Sequence, residues 1–238
     1  MSGTLNILAV DTATRGMSVS VFRDGVPVVT RVSGEMRDQA KSLLPSVMEA
    51  LKAAELDFSG LDALAAATGP GSFTGIRVGL AAMQGIALAS GLPLAGFDNF
   101  SIYALPTAAD TGRDRLVLLE SHRKECFCQL FDKNGKKKDD PFQEDAAGIM
   151  ARFTGKEDLL LTGNAVPVLR ELDAAGYHAP DIPDDFAAEN SSILLGRLLM
   201  EAAEDPDTDL STRYPARPFY IRPPDVTMPK EKPKENAL

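Results

Sequence analysis

The stretch that most constrains the fold is Thr68–Leu80, TGPGSFTGIRVGL. A strand-like apolar run, Leu61–Thr68, leads into it, and a helix-like run, Gly75–Ala89, grows out of it. Gly69, Gly71 and Gly75 mark a turn where the backbone takes positive φ or meets another segment closely. Ser72 or Thr74 is placed to cap the first helical turn. A turn of this kind can cradle an anion, because unpaired N–H groups and the helix dipole point the same way.

The residues favour a structural role for the turn over phosphate binding. No Gly-Lys-Ser/Thr follows at P-loop spacing, and Arg77 is the nearby cation. The pattern is not GxGxxG either, since Thr74 stands where the third glycine belongs. Gly75, Gly79, Ala82 and Gly85 give the helix a smooth flank, and Ile76, Leu80, Met83 and Ile86 an apolar one. A helix glycine costs about 1 kcal/mol relative to alanine. Several in one helix imply a close approach, and a second helix is the simplest neighbour.

At 238 residues the chain holds one large domain or two modest ones. There is no run of 18 apolar residues, so no membrane span is expected. The start, MSGTLNILAVDT, reads as a buried strand and not as a signal peptide. Cys126 and Cys128 are the two cysteines, expected on opposite faces of a strand and unpaired, in a reducing, cytoplasmic setting. The formal net charge of −9 argues against this chain gripping nucleic acid alone. Lys133–Lys138 is the one basic cluster, and it reads as a solvated hairpin turn at Asn134-Gly135.

Strands are predicted at Leu5–Asp11, Met17–Phe22 and Pro27–Val32, forming an opening meander with a hairpin signal at Asp24-Gly25 before the third strand. A helix follows over Lys41–Ala54, then a strand near Ala63–Thr68, the helix near Gly75–Ala89 and a short strand at Leu92–Phe97. The second half repeats the order more weakly. Strands are expected at Leu116–Glu120, Glu125–Asp132 and Leu159–Thr162, and helices at Ala165–Ala174 and Ser191–Ala203, the latter capped by Ser191 or Ser192. Pro206 to Pro218 reads as loop, Phe219–Ile221 as extended, and Pro223–Leu238 as a disordered tail.

Groups that could carry chemistry are sparse. Asp11 ends the first buried strand and is followed by Thr12-Ala13-Thr14. Sugar kinases and actin-like ATPases hold phosphate and a hydrated metal on such a turn, usually with glycine after the acid. No glycine comes before Gly16, so an Asx-turn that closes the hairpin is the stronger reading. His122 and His178 have no partner at metal-ligand spacing. The cysteines lack a CxxC arrangement and a visible base. Thr162-Gly163-Asn164-Ala165 is a weak candidate for an adenosine contact.

Read together, ILAVDTATRGMSVSVF near the start, RDQAKSLLP at Arg37–Pro45 and TGPGSFTGIRVGL resemble the bacterial TsaB family, also called YeaZ. ARPFYIRPPDV at Ala216–Val226 and SHRKECFCQLFD at Ser121–Asp132 resemble its closing and second-domain elements. The resemblance implies an actin-like (ASKHA) α/β fold of two ribonuclease-H-like halves, the second reduced. The expected division is 1–102, 103–222 and a tail at 223–238.

The resemblance also implies a function. The chain would be a non-catalytic partner that activates a TsaD-type threonylcarbamoyltransferase. The product is threonylcarbamoyladenosine at position 37 of tRNAs reading codons that start with A. Metal and threonylcarbamoyl-adenylate are expected on that partner, with no cofactor or metal of the chain's own. A TsaE-like ATPase would join, tRNA would bind only through the complex, and the chain alone would form a homodimer. The first two helices are the expected interface, through Leu44, Val47, Met48, Leu51, Ile76, Gly79, Ala82, Met83 and Ile86. Asp11, Thr12, Gly69, Gly71 and Ser72 would be a vestigial nucleotide site. Gln39 stands where many members carry histidine. The alternative reading is an active ATP-dependent kinase or ATPase of the same fold; a peptidase ranks last.

Overall fold

A computed structural model describes residues 5–14, 16–34, 38–105, 112–121, 123–155, 158–179, 191–205 and 207–221. The expected tail, His122 and Arg37 lie outside these residues. The first sheet opens with the meander β1 (Asn6–Asp11), β2 (Met17–Arg23) and β3 (Val26–Ser33). Helix α1 (Gln39–Ala53) returns the chain to β4 (Ala63–Ala67), which lies parallel to β1. Helix α2 (Phe73–Ser90) then leads to β5 (Leu94–Phe97), giving the strand order β3-β2-β1-β4-β5.

The second sheet follows the same plan. After the short helix α3 (Asn99–Tyr103) come β6 (Arg115–Leu119), β7 (Cys126–Phe131) and β8 (Phe142–Glu144). Helix α4 (Ala146–Arg152) leads to β9 (Leu160–Gly163), parallel to β6, and α5 (Val166–Ala174) follows. The order β8-β7-β6-β9 matches β3-β2-β1-β4, and at the place of β5 the described residues hold a single parallel bridge, Leu160 to His178. Among the described residues the second half therefore repeats the first half's motif with its fifth strand reduced to that bridge.

Burial explains the periodicities. β1, β4 and β6 are near-continuous apolar runs because both of their faces are covered. β3, at the edge, alternates between partly covered and exposed positions over most of its length. Elements the sequence reading missed are short: α3, α4, β8 and the four-residue helix α7 (Leu210–Arg213), which lies inside the expected Pro206–Pro218 loop. Their starts carry a legible signal. Asp98, Asp145 and Asp209 each cap a first turn, accepting from the amides of Ser101, Gly148, and both Ser211 and Thr212 respectively.

The division at residue 103 does not hold to the end of the chain. Helix α6 (Ser191–Ala202) packs on β1, β2 and β4, and Leu195 and Leu199 belong to the first core. Beyond α7, residues 214–221 run along the first sheet's β5 edge. Gly96 donates to the Tyr214 carbonyl at 2.8 Å, Ala95 bridges Pro215, and Phe219 donates to the Thr68 carbonyl at 2.8 Å. The expected caps Ser191 and Ser192 lie inside α6 and face the sheet instead of ending the helix.

The cysteine expectation is also corrected. Residues two apart on a strand share a face. Cys126 and Cys128 both point from β7 into the core under α4 and α5, with Sγ atoms 3.6 Å apart, both free. The Asn134-Gly135 turn is present, with Asp132 N donating to the Lys136 carbonyl at 2.8 Å.

Candidate functional site

Asp11 closes β1 with its carboxylate fully buried. Oδ1 accepts from Ala13 N at 2.7 Å and Thr14 N at 3.4 Å, and Oδ2 from the Thr14 hydroxyl at 3.0 Å. Ser191, on the first turn of α6, adds a further hydrogen bond. This is the Asx-turn of the sequence reading, extended by a tie to a distant helix. Burial pushes the Asp11 carboxyl above its ordinary value, and the Ser191, Ala13 and Thr14 hydrogen bonds hold it back. The Tyr103 phenol is also raised, first by burial and then by the charge of Asp11.

The glycine-rich loop is pressed onto this turn. Ser72 N donates to the Ala13 carbonyl at 2.7 Å, and the Thr12 hydroxyl donates to the Gly75 carbonyl at 2.7 Å. A Cβ at Gly75 would overlap the Thr12 carbonyl, and one at Gly79 would overlap Thr12 Oγ1. Gly75 and Gly79 therefore serve approach by the 11–14 turn of this chain, not by a second helix, whereas Gly85 has no neighbour within 4 Å. Gly69 is held by Asn99, its N–H reaching Oδ1 at 3.3 Å and its carbonyl accepting from Asn99 N at 2.7 Å. Ser72 caps α2, accepting from Gly75 N at 3.2 Å.

The structure brings Asp11, Thr12, Gly69, Gly71 and Ser72 together, but their polar groups largely serve one another. Between the halves, Ala13, Thr14, Pro70 and Gly71 face Leu119, Glu120 and Asn164 across a crevice too narrow for a water molecule. The second-half candidate is spent similarly. Asn164 Oδ1 accepts from Glu120 N at 2.9 Å, and the Thr162 hydroxyl donates to the Tyr103 carbonyl at 3.0 Å.

Gln39 begins α1, buried, with Nε2 donating to the Gly16 carbonyl. It holds the β1–β2 hairpin against the helix. Arg77 makes aromatic contacts within the chain. Its guanidinium lies 3.8 Å from the Phe73 ring centroid, and Nε donates to the Tyr220 hydroxyl at 3.3 Å. Lys137 pairs with Asp98 at 2.9 Å and Lys138 with Asp114 at 2.5 Å. His178 is exposed, and its carbonyl accepts from Leu161 N.

The outer face of α1 and α2 differs from these closed contacts. A groove of about 720 Å³ runs between the helices, lined by Leu44, Met48, Phe58, Ala82, Gly85 and Ile86 among others. Leu44 is 49% exposed, Met48 55% and Leu88 88%. Of the nine expected interface positions, Leu44, Met48, Ala82 and Ile86 line this groove. Val47, Leu51, Ile76, Gly79 and Met83 do not; they are buried in the chain's own core. The cause is helical spacing: each helix has one apolar stripe on the sheet and a second, narrower one facing outward. By length and composition α2 could cross a membrane, with mean hydropathy 1.2 and 33% of its window buried. Here Ile76, Leu80 and Met83 pack into the first core. The remaining apolar character lies on the groove side.

The sequence reading did not find the tie between α6 and the hairpin. Ser192 Oγ lies 2.5 Å from Ser18 Oγ and 2.7 Å from Ser20 Oγ, all buried. The signal was available, because serines alternating with valines in MSVSVF mark a covered strand face that needs polar partners.

The family model for tRNA N6-adenosine threonylcarbamoyltransferase (TsaD) matches residues 34–204. A tRNA threonylcarbamoyladenosine biosynthesis protein TsaB from Escherichia coli is 30% identical over 207 residues, covering 84% of each chain. The solved YeaZ from Pseudomonas aeruginosa superposes with a TM-score of 0.67 at 20% identity, over 91% of this chain and 100% of that one. An activator of 2-hydroxyisocaproyl-CoA dehydratase from Clostridium difficile, with bound ADPNP, superposes at 0.51 with 10% identity, over 83% of this chain and 96% of that one. Two sheets of one plan and these likenesses describe an actin-like fold, and the chain belongs to the TsaB (YeaZ) family.

Proposed function

We propose that this chain is the non-catalytic partner of a TsaD-type threonylcarbamoyltransferase. It pairs with that enzyme through α1 and α2 and holds it in an active arrangement. The reaction is the formation of threonylcarbamoyladenosine at position 37 of tRNAs reading codons that start with A. The observation that carries this reading is the open apolar groove between the two helices. Leu44 and Met48 are exposed there. Covering a large apolar side chain contributes about 1.5–3 kcal/mol. The closed Asp11 turn and the narrow crevice support a chain without turnover of its own.

The rest of the reading follows from that pairing. Metal and threonylcarbamoyl-adenylate reside on the catalytic subunit, and a TsaE-like ATPase joins the pair in the cytoplasm. Alone, the chain forms a homodimer through the same groove. It meets tRNA only within the assembly, as its net charge of −9 and the paired Lys137 and Lys138 support.

Titrating the full chain against the TsaD-like subunit tests the pairing. Met48→Glu places a charge in the groove and should weaken association at least about tenfold, or 1.4 kcal/mol. Its melting temperature should stay near wild type, because Met48 is exposed. Unchanged affinity in a folded Met48→Glu variant would remove the groove from the interface. The alternative, an active ATPase, would be established by steady ATP turnover that Asp11→Ala abolishes.

A further inference from the structure

We propose that a pocket between the two halves binds a small aliphatic diamine in its protonated form. The pocket holds about 420 Å³. Five elements meet there. Phe97 ends β5, Ala104 caps the end of α3, and Leu198 and Glu201 belong to the last turns of α6. Tyr214 follows α7, and the Asn134-Gly135 turn comes from the second half. That volume falls within the range of small-molecule sites, which favour junctions between domains. The pocket shares no residue with the groove between α1 and α2, so it stands apart from the pairing proposed above.

The lining sets the sign of the ligand. Its single formal charge is the Glu201 carboxylate, with no Lys, Arg or His beside it. Glu201 lies in the last turn of α6, a turn that carries no basic residue. The negative end of the helix dipole and the carboxylate therefore act on the same place, and both favour a cation. Nearby cations are engaged elsewhere. Lys137 pairs with Asp98 at 2.9 Å. Arg213 lies 5.7 Å from the Tyr214 ring centroid, with Nη1 donating to the Thr208 hydroxyl at 3.3 Å, and it does not line the pocket. Of the polar lining residues, Ser101 donates its hydroxyl to Asp98 at 2.8 Å. Among the described residues no hydrogen bond or ion pair engages the polar ends of Asn134, Glu201 or Tyr214.

The walls set the ligand's body. Phe97, Ala104, Leu105 and Leu198 are apolar, and Phe97 is braced by Tyr214, with ring centroids 4.8 Å apart. A hard metal ion wants about six oxygen ligands. Among the described residues no group of three or more His, Cys, Asp or Glu side chains is placed to hold one. A neutral apolar molecule would cover Glu201 without pairing it, at a desolvation cost. An alkylammonium chain meets both demands. Its N–H groups donate to the oxygens of Glu201, Asn134 and Tyr214, and its methylenes cover the apolar wall. Bound there, it would tie α6 of the first half to the 134–135 turn of the second.

The full chain, labelled with nitrogen-15, would be titrated with 1,5-diaminopentane by NMR. Salt at about 0.15 M shortens the Debye length to about 8 Å and suppresses general attraction to an acidic protein. Amide shifts should saturate with one Kd below about 1 mM and centre on Asn134, Glu201 and Ala202. The neutral isostere 1,5-pentanediol should leave them unmoved. Glu201→Gln should weaken binding at least about tenfold, with an unchanged melting temperature because the residue is exposed. Ala202→Phe fills the pocket without altering charge and should abolish the shifts. Glu204→Gln removes the same charge outside the lining and should bind as wild type does. Absent saturation, equal shifts with the diol, an equal loss in Glu204→Gln, or wild-type binding in folded Glu201→Gln or Ala202→Phe overturns the proposal.

Discussion

Asp11 shows how one side chain can be shaped like a catalytic acid and spent on structure. Its oxygens serve Ala13, Thr14 and Ser191, so the carboxylate joins the hairpin turn to α6. Its raised folded value has a definite sign in stability. The folded state holds the proton to higher pH than the unfolded state, so stability from this group falls as pH rises from about 4 through the folded value. Asp11→Asn keeps an acceptor for the two amides and cannot ionise. Its melting temperature should match or exceed wild type at neutral pH, with the acid-range slope reduced. Asp11→Ala strips both amides of their acceptor and should cost about 1–3 kcal/mol. Melts of the three proteins between pH 4 and 8 check this; a wild-type slope in Asp11→Asn would refute it.

At the scale of elements, α2 carries the sharpest lesson. The glycine flank was legible as a sign of close approach, yet the approaching group is Thr12 of the same chain. Gly79→Leu should therefore destabilise the fold itself, by at least the 1–3 kcal/mol of an overpacked core. It should lower the denaturation midpoint even where no partner is present. A normal midpoint with lost partner binding would return Gly79 to the surface. The opening meander, α1, β4 and α2 could be read from period and turn residues alone, because each is long and its pattern is clean. Spacing cannot say which of two apolar stripes faces the sheet, so Val47 and Met48 looked alike. The short α3, α4 and β8 fell below the length at which periodicity speaks, and only their aspartate caps announced the helices.

At the scale of the whole molecule, the chain leaves the first sheet after β5, builds the second, and comes back. Ser191 and Ser192 dock on Asp11, Ser18 and Ser20, Leu195 and Leu199 fill the first core, and residues 214–221 finish the β5 edge. A piece ending at residue 102 lacks that cover. It should stay protease-sensitive and bind a hydrophobic dye, and a resistant, dye-free fragment would contradict the packing described here. The return path also sets an order of events at the ribosome. At about 5–20 residues per second, the stretch between β5 and α6 takes roughly 5–20 s to synthesise. Throughout that interval the nascent first sheet waits with one apolar face open, so a holdase chaperone has its longest window on this protein before the second half is complete.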